Sequence, residues 1–133
     1  VRVLRRLCRA RALPLLRRNA AANDLASVVA VQELEWGRAG LHSLGGSFQL
    51  VLAADVVAHE ESFEPLLETL LHVARAGAEV LIANKCRDVS EHCFWAQAAE
   101  ALNVELLRSG LSDVNRDGDE LPILLYRLWS KHT

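Results

Sequence analysis

The apolar positions of this chain switch between two spacings, and the switches mark its elements. ARALPLLRRNAAA (10–22) places Leu13, Leu16 and Ala20 on one side of a helix, and Asn23-Asp24 ends that pattern. SVVAVQELEW (27–36) is β-branched and then alternating, which predicts a strand. GRAGLHSLGGS (37–47) carries four glycines and reads as a loop. FQLVLAAD (48–55) is a nearly continuous apolar run of strand length, the kind found in parallel strands covered on both faces.

A well-marked helix follows. Ser62 is placed to cap it, and Pro65 fits its first turn, where the missing N–H costs little. Phe63, Leu66, Leu67, Leu70, Leu71 and Ala74 form one apolar stripe, and Gly77 stands where a helix commonly stops. AEVLIAN (78–84) predicts another strand. Asp88 with Glu91 resembles a capping box opening a helix over 89–102. VELLRS (104–109) and PILLYRLW (122–129) predict two strands joined by the turn-rich SDVNRDGDE, and a pair joined without a helix is antiparallel. Strands alternating with helices predict a three-layer α/β/α sheet, mostly parallel, with an antiparallel C-terminal strand.

Composition narrows the class. With 133 residues, one domain spanning 1–133 is expected, and 51% apolar with 24% charged residues suits a globular chain. The net charge of -2 does not favour a polyanion as main partner. The charge is unevenly spread: residues 1–23 hold seven arginines and no acid. A solvated helix face accounts for them, and no aromatic residue among them would stack on nucleic-acid bases. Cys8, Cys86 and Cys93 are odd in number and lack CxxC spacing, which fits a reducing, cytoplasmic setting and two buried thiols at Cys86 and Cys93 rather than a metal site. No apolar stretch has the length of a membrane span, and the basic, then apolar start lacks the form of a signal peptide. Val1 in place of Met leaves open a fragment or a processed form.

Asp55 ends the most apolar strand. Within the strand its carboxylate would be costly to bury, but at the carboxyl end of a parallel strand it emerges where such sheets bind ligands.

The element order and three stretches resemble class I, seven-β-strand, S-adenosylmethionine-dependent methyltransferases, and in particular the METTL21-like protein-lysine methyltransferase group. ALPLLRRNAAAN (12–23) is similar to the helix after the second family strand, VQELEWG (31–37) to the next strand and its Trp-Gly turn, and FQLVLAADVVAHEESFEPLLETL (48–70) to the fourth strand, its signature acid and the following helix. The resemblance implies a Rossmann-like sheet, S-adenosylmethionine as cofactor and a protein substrate presenting a lysine. It implies that Trp36 packs near the adenine, that the backbone at Ala54 lies against the cofactor, and that Asp55 holds the lysine ammonium by charge-assisted hydrogen bonds. Plain packing of Trp36 at a strand end and of Ala54 within its strand are the competing readings. Glu33 and Glu35 fit a solvated strand edge, and His59, Glu60 and Glu61 fit loop residues before a helix.

Three departures stand beside the match. No Gly-rich loop follows a first strand, no carboxylate precedes ALPLLRRN for the ribose, and Ala58 replaces the aromatic of the family's D-x-x-Y/F motif. The chain therefore resembles the C-terminal two-thirds of a family domain lacking its first strand, with unpaired backbone and exposed apolar surface where that strand would lie, unless a partner or a further N-terminal segment completes the sheet. A non-catalytic binding or scaffold module of the same fold is the alternative. A nucleotide-binding oxidoreductase is a third reading, weakened by the missing glycine fingerprint.

Overall fold

A computed structural model of the chain describes residues 2–6, 12–85, 89–114 and 117–132. Two compact units, residues 1–45 and 46–133, each have their own sheet.

In the first unit, β1 (Arg2–Arg6) pairs in parallel with β2 (Ala30–Leu34), with Val3 opposite Val31. Parallel neighbours need a crossover, and α1 (Ala12–Ala22) supplies it. The arginine cluster is thus not one helix face. Arg2, Arg5 and Arg6 lie on a strand, Arg17 and Arg18 are exposed on α1, and Arg9 and Arg11 fall outside the described residues. Pairing of residues 2–6 with β2 takes the start of the chain out of the helix reading. β2 is shorter than the expected 27–36, since Val28 and Val29 donate their amides back to the Leu25 carbonyl and keep residues 25–29 in turns. The glycine-rich stretch after it is not all loop: α2 (Arg38–Leu41) forms one short turn of helix.

The second unit runs β3 (Leu50–Ala54), a 3-10 turn at Glu60–Ser62, α3 (Phe63–Arg75), β4 (Glu79–Lys85), α4 (Glu91–Ala101), β5 (Leu102–Val114) and β6 (Glu120–Ser130). The strand order is β3-β4-β6-β5. β3 and β4 are parallel, and β6 is antiparallel to both β4 and β5, as expected for the C-terminal strand. The β5–β6 hairpin is longer than the sequence suggested. Ser112 and Asp113 pair with Pro122 and Leu121, so half of the expected turn is strand. A register shift between Leu107 and Leu111 absorbs the surplus residues, with Gly110 at φ 65 inside it, a backbone that glycine adopts without penalty.

One face of this sheet carries the core. Along β4, Val80, Ile82 and Asn84 are buried while Glu79, Leu81, Ala83 and Lys85 are half-buried. α3 lays Phe63, Leu66, Leu70, Val73 and Ala74 onto the buried face, and α4 adds Phe94 and Ala98. Phe63 and Phe94 meet at 5.5 Å between ring centroids, and Trp95 of α4 stacks on Tyr126 of β6 at 3.6 Å. Ser62 is buried and helical, so the 3-10 turn runs straight into α3 and the side chain does not cap it, because a capping residue needs a non-helical backbone. Gly77 does close α3, at φ 97.

β3 departs from the expectation of a strand covered on both faces. Val51 and Ala53 point to the helix side, but Leu50 is 50% and Leu52 71% exposed. Among the described residues β3 is an edge of its sheet, and both helices of this unit lie on the other face. On the open face Arg127 bonds Glu79 at 2.9 Å, approaches Glu105 at 3.7 Å and lies over the Trp129 ring. The hydrogen bond to Glu79 raises its pKa further, so the guanidinium stays charged.

Candidate functional site

The carboxyl ends of β3 and β4 lie side by side, with Ala54 paired to Ala83. The ladder continues one bond further, where the Asp55 amide donates to the Ala83 carbonyl at 3.0 Å. There the chain turns. Asp55 has φ 56, in the left-handed region where an L-residue with a Cβ is strained and where Asp is among the better tolerated. Strain of this kind persists only where the surroundings fix it. Here the Ala83 carbonyl holds the amide and Val57, wholly buried, pins the chain two residues on. The result is an exposed Asp55 side chain on a strand end held from both sides. A carboxylate in that position can accept hydrogen bonds from a cation arriving at the sheet edge.

Ala54 is exposed beside it, so its small side chain leaves the strand end open to close approach. Ala58 is exposed as well and adds no aromatic wall. His59, Glu60 and Glu61 are exposed, and both glutamates sit in the first turn of the 3-10 segment leading into α3, as the loop reading expected.

Trp36 belongs to the first unit. It is half-buried at the end of β2, followed by Gly37 at φ 94. Gly40 of α2 fixes this turn: a Cβ there would lie 1.7 Å from the Glu35 carbonyl oxygen. The Ser43 hydroxyl donates to the Gly40 carbonyl at 2.7 Å, and Gln32 Nε2 reaches the Ser43 carbonyl at 2.8 Å. α2 is therefore strapped to the strand that carries Trp36. Glu33 and Glu35 are exposed, in keeping with a solvated edge. The structure brings Ala54 and Asp55 together on one strand end and sets Trp36 on a separately built turn.

Two features were not legible beforehand. Asn84, at the end of β4, donates from Nδ2 to Glu91 Oε2 at 2.6 Å, and both residues are buried. Glu91 thus serves as a buried partner to a strand residue. Its capping-box partner Asp88 lies outside the described residues. Cys93, expected inside, is an exposed free thiol, because it falls on the outer side of α4, while Cys86 lies outside the described residues. Among the described residues no group of three or more His, Cys, Asp or Glu side chains is arranged to hold a metal ion, and no helix is long and apolar enough to cross a membrane.

Taken singly, the indole of Trp36 offers a flat apolar face at a rigid turn, and Ala54 leaves its strand end open to close approach. Residues 1–23 contain no carboxylate to bind ribose hydroxyls.

Comparison with known proteins bears on the family and the fold. A family described as lysine methyltransferase matches residues 9–101, a stretch that runs through both units. A protein N-lysine methyltransferase METTL21A of Mus musculus is 38% identical over 80 residues, covering 57% of this chain and 36% of that protein. Its counterpart in Danio rerio is 35% identical over 78 residues, covering 58% and 35%. This chain thus spans about a third of the length of these curated relatives. Among solved structures, a precorrin-6Y C5,15-methyltransferase from Geobacter metallireducens superposes with a TM-score of 0.59 at 12% identity, covering 98% of this chain and 66% of that one, a likeness of fold.

Proposed function

Since this chain belongs to the lysine methyltransferase family, we propose that it forms part of an S-adenosylmethionine-dependent protein-lysine N-methyltransferase acting on a lysine side chain of another protein. The observation that carries this reading is Asp55: an exposed carboxylate on a left-handed residue at the carboxyl end of β3, its amide held by Ala83. The two units are, on this reading, parts of one family domain.

Asp55 accepts hydrogen bonds from the substrate ammonium, orients the nitrogen and draws off the proton it must lose before it can act as a nucleophile. Ala54 leaves the strand end clear for the cofactor, and Trp36 supplies an apolar surface for adenine. When bound, S-adenosylmethionine supplies a methyl group on a positively charged sulfur. Ala58 leaves the lysine side chain without an aromatic wall, so positioning falls more heavily on Asp55. An odd number of cysteines without CxxC spacing fits work in the reducing cytoplasm.

Calorimetry of the chain with S-adenosylmethionine and with S-adenosylhomocysteine, followed by methyl transfer to lysine-containing protein substrates, tests the proposal. Binding with transfer that Asp55→Asn lowers at least about tenfold, roughly the loss of one charge-assisted hydrogen bond, is the expected result. A folded chain with no affinity for either compound would favour the non-catalytic module instead.

A further inference from the structure

Asn84 and Glu91 form a buried polar pair whose position invites an explanation. Asn84 is 1% and Glu91 2% exposed, and 2.6 Å separates their bonded atoms. Burying an acid beside an amide is costly compared with burying two apolar side chains, and Asn84 Oδ1 has no hydrogen-bond partner among the described residues. The neighbours of Asn84 on the same side of β4, Val80 and Ile82, are apolar and wholly buried.

Its covalent place explains it. The Ala83 carbonyl oxygen and the Asn84 Cα belong to one planar peptide group, so they move together. That carbonyl accepts the amide of Asp55. Asn84 continues away from β3: its own ladder partner is Leu124 of β6, on the other side of β4. A side chain tied to the first residue of α4 therefore fixes the tilt of the peptide that holds Asp55 in its left-handed turn. We infer that Asn84 and Glu91 are positioning residues, which set the orientation of the Asp55 backbone through the Ala83–Asn84 peptide. The inference rests on the role given above to Asp55. A pair that merely fastened α4 to β4 would have no specific link to that residue.

Backbone amide hydrogen exchange of the full chain, read residue by residue by NMR, tests the link without requiring activity. In the double variant Asn84→Leu with Glu91→Leu, apolar contact replaces the polar one. The Asp55 amide is expected to exchange about tenfold faster, the effect of weakening one hydrogen bond, with the amides within β4 and α4 unchanged. Should the leucine pair not fold, Glu91→Asp withdraws the carboxylate by one methylene and is expected to act in the same direction. Glu91→Gln keeps both shape and acceptor and is expected to retain the wild-type exchange. Unchanged exchange at Asp55, or a uniform acceleration across β4 and α4, would overturn the inference. In a methyl-transfer assay Glu91→Asp should lower kcat while leaving KM for the cofactor within about twofold, as a positioning role requires. Absence of transfer in the unaltered chain would count against the proposed function, and the exchange result would still decide the positioning role.

Discussion

Leu52 offers a direct measure of how the sheet of the second unit is covered. It lies on β3 with 71% of its surface exposed, whereas Ile82, on the helix side of β4, is wholly buried. Full burial of a leucine side chain stabilises by about 1.5–3 kcal/mol, so the part of Leu52 that is covered contributes less than about 1 kcal/mol. Replacing it with lysine adds a difference in strand preference that spans at most about 1 kcal/mol. Leu52→Lys is therefore expected to cost at most about 2 kcal/mol in urea unfolding, with the slope of the transition unchanged. Ile82→Ala removes atoms from the closed side and is expected to cost about 2–5 kcal/mol. The same open leucine is an invitation to edge pairing, so the lysine variant should also associate less at high concentration. A loss above about 2 kcal/mol for Leu52→Lys, approaching full burial, would mean that this face is closed in solution and would refute the single-sided packing described above.

Other predictions concern the two strand ends. Gly40→Ala would drive a methyl group into the Glu35 carbonyl, which is backbone and cannot swing aside, so this variant should lose α2 and the Trp36 fluorescence environment together. Asp55→Gly relieves the left-handed backbone and Asp55→Ala does not. The glycine variant should be more stable than the alanine variant by about 1 kcal/mol in urea unfolding, and on the role proposed for Asp55 neither should support methyl transfer. Equal stabilities would remove the argument that the turn at Asp55 is strained.

Much of the α/β pattern was visible because it depends on local periodicity. The stripe from Phe63 to Ala74 and the stop at Gly77 are written into α3, and the apolar run of β3 ends in the acid that the structure leaves exposed. What escaped the sequence depends on partners far along the chain. The arginine-rich start pairs with residues near Val31, which no local signal announces. Ser62 looks like a cap by type, yet the preceding turn already gives it helical backbone. The apolar run of β3 was expected to be covered twice, but coverage is a property of neighbouring layers, and among the described residues of its own unit β3 has helices on one side only. Asn84 and Glu91 each had an ordinary local reading, and only the approach of α4 to β4 makes them a pair. The roles proposed for Trp36, Ala54 and Asp55 rest on a resemblance, whereas the left-handed turn at Asp55 is a fact of the backbone alone.

The placement of β6 has a consequence for how the chain is made. β6 follows β5 in sequence but lies between β4 and β5, with Val80 paired to Leu128 and Val104 paired to the same residue from the other side. During synthesis, β3 and β4 can pair as soon as they emerge, but β5 must wait without a neighbour until residues 120–130 have left the ribosome. The interval exposes a thirteen-residue strand and one edge of β4. Closure then comes in a single late step that joins both, through contacts distant along the chain, which are slow to form. A pause in translation before residue 120 would hold the nascent chain in its most adhesive state.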